Sequence, residues 1–164
     1  MFTTDYPWKD AIPLPVESAS VDLQVGGFSG RKFTDLVIDG SLNTKATSAS
    51  YTFVAGDIGK IVVVTGGTDF TVGTYYIASV AEGAATLSAA VGTVASTGGV
   101  ARFATDCRGL LVLVAGNIAI TTLARPTTKQ TMLSVAAGVL PIQVATLYKA
   151  ANGTSATGVY GLFS

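Results

Sequence analysis

Residues 107–120 read Cys-Arg-Gly-Leu-Leu-Val-Leu-Val-Ala-Gly-Asn-Ile-Ala-Ile. An unbroken apolar run, Leu110–Val114, is followed by Gly116-Asn117 and then by Ile118-Ala119-Ile120. Two β-rich runs around a Gly-Asn pair predict a hairpin, with Gly116 free to take positive φ and Asn117 tolerant of it. Apolar residues on both faces of Leu110–Val114 predict a strand covered on two sides, at the centre of a sheet.

Outward from this stretch the same texture continues. Val21–Val25 alternates, with Val21, Leu23 and Val25 on one face. Phe33–Ile38 reads as a strand stopped by Asp39-Gly40. From Ser41 to Thr97 short strands follow at close spacing: Tyr51–Val54, Lys60–Thr65, Gly73–Val80 and Ala85–Ala89, separated by 55–59, Gly66-Gly67 and Glu82-Gly83. Turn signals this frequent point to a small sandwich or barrel. Val100–Phe103 leads into the central stretch. Thr121–Thr128, which holds Arg125-Pro126, reads as a loop, Gln130–Val135 alternates weakly, and Leu140–Tyr148 alternates more clearly. Asn152-Gly153 is a turn, and Gly158–Phe163 is the last strand. The fold class expected is all-β, in small antiparallel sandwich or barrel domains with an extended N-terminal arm.

That arm is the second informative region. Pro7, Pro13 and Pro15 rule out a regular helix, yet the segment carries Phe2, Tyr6, Trp8, Ile12, Leu14 and Val16. A solvated tail is rarely so aromatic. Phe2, Tyr6, Trp8, Ile12 and Leu14 are therefore the candidate interaction residues. They would pack on the chain's own domain or, the preferred reading, at least partly on a neighbouring subunit.

Composition narrows the function classes. The 164 residues suffice for one domain or two small ones. Only 12% are charged, about half the ~25% of an average soluble domain. A surface so poor in charge is expected to be covered by other subunits; a plain Thr/Gly-rich β protein is the alternative. Ten basic and ten acidic residues give zero net charge, with no basic patch for nucleic acid or a membrane surface. The first residues lack the basic and apolar regions of a secretion signal, and no apolar run approaches the ~20 residues of a spanning helix.

Candidate chemistry is sparse. With no histidine and one cysteine, a Ser/His/Asp set and the usual zinc sites are ruled out, and no cofactor or metal is expected. Cys107 opens a buried strand and reads as a core residue. Asp57, in Gly56-Asp57-Ile58-Gly59, reads as a turn residue bonded to its own backbone. Asn152-Gly153-Thr154 matches a glycosylation acceptor and is read as a turn. A glycoside hydrolase would need two placed carboxylates, and no pair stands out. No catalytic residue is assigned.

Two segments carry a resemblance. Cys107-Arg108-Gly109-Leu110 leads to Gly116-Asn117-Ile118-Ala119, then Ala137-Gly138-Val139-Leu140-Pro141-Ile142, then Asn152-Gly153-Thr154-Ser155-Ala156-Thr157-Gly158-Val159. In this order, within Thr105–Phe163, they resemble the small head spike base proteins of tailed phages and gene transfer agents. Ile38-Asp39-Gly40, Tyr51 to Lys60 and Thr86-Leu87-Ser88 resemble a β module that recurs in phage virion and tail proteins.

Together the resemblances imply that residues 1–27, an arm and first strand, pack with a spike-base-like domain at 104–164, and that 28–103 is an inserted β domain. Two consecutive domains split near Phe103 are the alternative. They also imply a non-enzymatic virion protein on the capsid exterior, as decoration, cement or head spike base, made in the bacterial host cytoplasm. Its partners would be the major capsid protein, copies of itself, and a spike or fibre protein. The alternative role is a tail or baseplate adaptor or receptor-contacting protein.

Overall fold

A computed structural model describes residues 10–26 and 30–163. The protein is all-β. Its strands are β1 (Asp10–Leu14), β2 (Leu23–Gln24), β3 (Lys32–Ile38), β4 (Lys45–Ser48), β5 (Ile61–Gly66), β6 (Gly73–Ala81), β7 (Ala84–Leu87), β8 (Gly99–Phe103), β9 (Cys107–Val114), β10 (Gly116–Thr122), β11 (Arg125–Val135), β12 (Gly138–Leu140), β13 (Val144–Leu147) and β14 (Thr157–Phe163).

Strands β3 to β8 close an antiparallel barrel in the order β3-β4-β7-β6-β5-β8. The remaining strands form a sheet ordered β1-β14-β9-β13-β10-β11, with β12 beside β9 and β2 beside β13. The chain leaves the sheet after β2, completes the barrel, and returns to the sheet at β9.

The run Ile61-Val62-Val63-Val64 shows why the two parts form one body. Val62 and Val64 face the barrel interior with Phe33, Leu36, Ile77 and Phe103. Ile61 and Val63 face the other way, into the core of the sheet with Leu110, Val112, Ile118 and Phe163. Tyr75 and Tyr76 divide in the same manner. A strand buried on both faces needs a continuous apolar run, and β5 has one. Polar bonds reinforce the junction: the Ser20 N–H donates to the Tyr76 hydroxyl at 3.1 Å, and the Gln24 amide donates to the Ile58 carbonyl at 2.7 Å. Gly59 lies so close to Asp22 that a Cβ there would sit 2.3 Å from its carbonyl oxygen.

Several expectations need correction. β9 and β10 do not pair, so Gly116-Asn117 is not a hairpin turn: β9 lies between β14 and the β12–β13 segment, and β10 pairs with β11 and β13. Gly116 is not among the positive-φ residues. It is needed because a Cβ would meet the Ala156 nitrogen at 2.5 Å. The hairpin is instead β10–β11, turned at 123–124, so Arg125 and Pro126 begin a strand rather than lie in a loop. β11 is an edge strand, where a proline without an N–H is tolerated.

β9 is central but is not covered on both sides: Leu110 and Val112 are buried, Leu111 is half-buried, and Leu113 and Val114 are exposed. Tyr51–Val54 is not a strand. Leu140–Tyr148 is interrupted at 141–143, where Pro141 breaks the ladder. In contrast, Glu82-Gly83 is a two-residue turn with positive φ at both positions, 52° and 77°, joining β6 and β7.

Candidate functional site

Phe2, Tyr6 and Trp8 lie outside the described residues. Ile12 and Leu14 sit in β1, which pairs with β14 from Asp10↔Phe163 to Leu14↔Val159. Both are buried in the chain's own core with Leu110, Val112 and Val159. The described part of the arm thus packs on its own sheet, and Ile12 and Leu14 are not available to a neighbour. Alternation puts every second residue of β1 on this core.

Asp57 is the most elaborate polar group. It is fully buried; the Tyr51 hydroxyl donates to both carboxylate oxygens at 2.9 Å, the Val54 N–H donates at 2.9 Å, and Lys60 Nζ at 2.6 Å. Burial pushes this carboxyl up, but the Lys60 ammonium, the Val54 N–H and the Tyr51 hydroxyl outweigh it and hold it below its ordinary 3.8. Around it Phe33, Tyr51, Phe53 and Phe103 pack edge to face, with centroids 5.0 Å apart for Phe33–Phe103. Every acceptor position is used by the fold. The arrangement is a structural lock at one end of the barrel.

Cys107 is buried, and its thiol donates to the Gly109 carbonyl. Burial pushes that thiol up to about 11, which leaves it protonated and unreactive at neutral pH. Asn152 of the glycosylation-like triplet donates to both oxygens of Asp22, at 2.8 and 2.9 Å. Gly153 has φ 115°, and buried Thr154 accepts the Ala119 N–H. All three serve the turn.

Two hollows remain. One, of about 370 Å³, lies between the sheet edge and the barrel, lined by Pro13, Pro15, Glu17, Thr74, Gly158 and Tyr160. The other, of about 290 Å³, lies on the barrel wall, lined by Lys32, Thr34, Thr65, Val100 and Arg102. Lys32 and Arg102 are directly opposite in the β3–β8 ladder. Neither hollow brings two carboxylates together, and among the described residues no group of three His, Cys, Asp or Glu could hold a metal.

The outer face of the sheet is more distinctive. Pro13 is opposite Tyr160, Tyr160 opposite Leu111, and Leu111 opposite Val139. Directly opposed residues share a face, so these four form one apolar row across β1, β14, β9 and β12. The buried row runs behind it through Leu14, Val159 and Val112. Leu113 lies two residues beyond Leu111 on the same side, 53% exposed, and Val139 is 47% exposed. No charged residue occurs in 109–124 or 130–148. Sequence reasoning missed this face because its members are up to 147 positions apart and only the register assembles them. Comparison with protein-family models, curated proteins and solved structures finds no match to this chain.

Proposed function

We propose that the chain is a non-enzymatic structural protein of a tailed-phage virion, attached to the capsid exterior as a decoration, cement or head spike base subunit. The observation that carries this reading is the outer face of the sheet: an apolar, uncharged surface on a chain with very little charge to keep it apart from neighbours. The motif order in Thr105–Phe163 supports it from the sequence side. The mechanism is adhesion. The fold is a rigid β scaffold, its partners are the major capsid protein, copies of itself and a spike or fibre protein, and repetition on a symmetric shell multiplies weak contacts. Synthesis is in the host cytoplasm and the working location is the capsid surface.

The test is the copy number of this protein in purified particles, by quantitative mass spectrometry against the major capsid protein. Capsid-wide decoration gives a ratio near unity or a simple fraction of it, and a vertex spike base gives a few per cent. Absence from particles overturns the reading. One observation favours a second role, a receptor-contacting tail or baseplate protein: the barrel-wall hollow with Lys32 opposite Arg102 suits an anionic group. Antibody imaging of the particle separates the two.

A further inference from the structure

We propose that the outer apolar face of the sheet is a self-association surface, on which two copies of this chain stack face to face about a twofold axis with their β9 strands antiparallel. This deepens the self-association part of the reading above and rests on it.

Three observations lead there. The first is the row Pro13–Tyr160–Leu111–Val139 with Leu113 beyond it, an apolar sheet face without a covering layer among the described residues. Stacked sheets close such faces at about 10 Å separation. The second is the absence of charge within the row. Near a twofold axis each side chain meets a copy of itself or of its neighbour, so a charge there would face its like. The third is the rim. Glu17 is exposed at one end of the face, its carboxylate accepting the Gly158 N–H at 3.0 Å, and Gly158 abuts Leu113. Arg108 is exposed at the other end of β9, beside the register shift at Leu162/Phe163.

Leu113 lies five residue steps along β9 from Arg108, about 17 Å, so the two rim charges do not meet within one copy. An antiparallel stack puts Glu17 of each copy over Arg108 of the other, twice. The same face thus supplies both halves of the complementarity that an isologous contact requires. A parallel stack would oppose like charges at both ends.

The face is four strands wide and about 17 Å long, on the order of 300 Å² before the rim is counted, below the ~800 Å² per partner of a standard interface. The isolated dimer is therefore weak, with Kd on the order of 100 µM, and is measured by sedimentation equilibrium of the full chain from about 5 to 300 µM.

The expected result is a monomer–dimer equilibrium. Val139→Lys weakens it at least tenfold with an unchanged circular-dichroism spectrum, and Val72→Lys, a more exposed apolar site on the barrel (65% against 47%), leaves it unchanged. Glu17→Lys and Arg108→Glu each weaken it about fivefold, and the double variant restores it. A wild-type monomer throughout this range overturns the proposal, as does a double variant no better than the single ones or a Val72→Lys effect equal to that of Val139→Lys. The particle ratio described above is independent of all these results, so the two readings fail separately.

Discussion

Among the described residues every barrel strand has two neighbours, whereas in the sheet β1, β2, β11 and β12 each have one. The charges divide in the same way. Residues 32–103 carry Lys32, Lys45, Lys60 and Arg102 against Asp35, Asp39, Asp57, Asp69 and Glu82. Residues 107–163 carry Arg108, Arg125, Lys129 and Lys149 and no acid at all. The barrel ends its own hydrogen bonding by closure and spaces both signs of charge over its wall. The sheet leaves edges and exposed apolar side chains, and its acids, Asp10, Glu17 and Asp22, all come from the N-terminal segment while 107–163 supplies only basic charge. The barrel is thus finished within its own chain, whereas the sheet would be finished only by the self-association proposed above, and the two share a core through Ile61 and Tyr76.

The largest expected effects test that shared core. Phe33 fills the barrel and Leu110 the sheet, both fully buried. Phe33→Ala is expected to cost about 3–5 kcal/mol and Leu110→Ala about 2–5 kcal/mol. In urea melts followed by circular dichroism, each should shift one common transition, because β5 and β6 have a face in each core. Two separated transitions would break the comparison and make the barrel and sheet independent units.

Next is Asp57. Asp57→Ala leaves the Tyr51 hydroxyl and the Val54 N–H without their acceptor, a loss of about 3 kcal/mol. The pH dependence has a definite sign. The folded carboxyl titrates below its ordinary 3.8, so its stabilisation is complete above 3.8 and is lost as pH falls through the lower folded value. Urea midpoints at pH 7 and pH 3 should therefore differ less in Asp57→Asn than in the wild type. An unchanged difference would assign the acid sensitivity to other carboxylates.

What the sequence disclosed follows the same division. The strands around Phe33–Ile38, Lys60–Thr65, Gly73–Val80 and Gly158–Phe163 were legible because each is a short run rich in β-branched, aromatic and other apolar residues bounded by turn residues, and with them the all-β class. β4 was not, since Lys-Ala-Thr-Ser has neither alternation nor β-branched bulk beyond one threonine. Pairing was not legible either. Gly116-Asn117 has the composition of a turn, but glycine there admits the backbone of Ala156, and Asn117 accepts the Ser134 N–H and holds the loop at 154–156. A glycine's sequence neighbours do not reveal whether it serves dihedral freedom or close approach. The outer apolar row was hidden for a related reason. Pro13, Tyr160, Leu111 and Val139 have no pattern along the chain, and they meet only once three strand registers are fixed.

The smallest expected effect is at Leu133, on the open edge strand β11 and 73% exposed. In dilute protein Leu133→Ser should change the urea midpoint by an amount equivalent to about 0.5 kcal/mol or less. The same class of residue at position 110 is expected to cost several times more, so the pair measures how far the sheet's exposed apolar side chains are idle in the isolated fold. The informative control is concentration. If the wild type gains stability as it is concentrated and Leu133→Ser does not, mass action assigns the β11 edge to an intermolecular contact as well, and the region finished by assembly extends beyond the outer face. If Leu133→Ser instead lowers stability by more than about 1 kcal/mol at every concentration, Leu133 belongs to the packing of the fold itself, and the contrast between a finished barrel and an unfinished sheet is narrowed to the β9–β14 face.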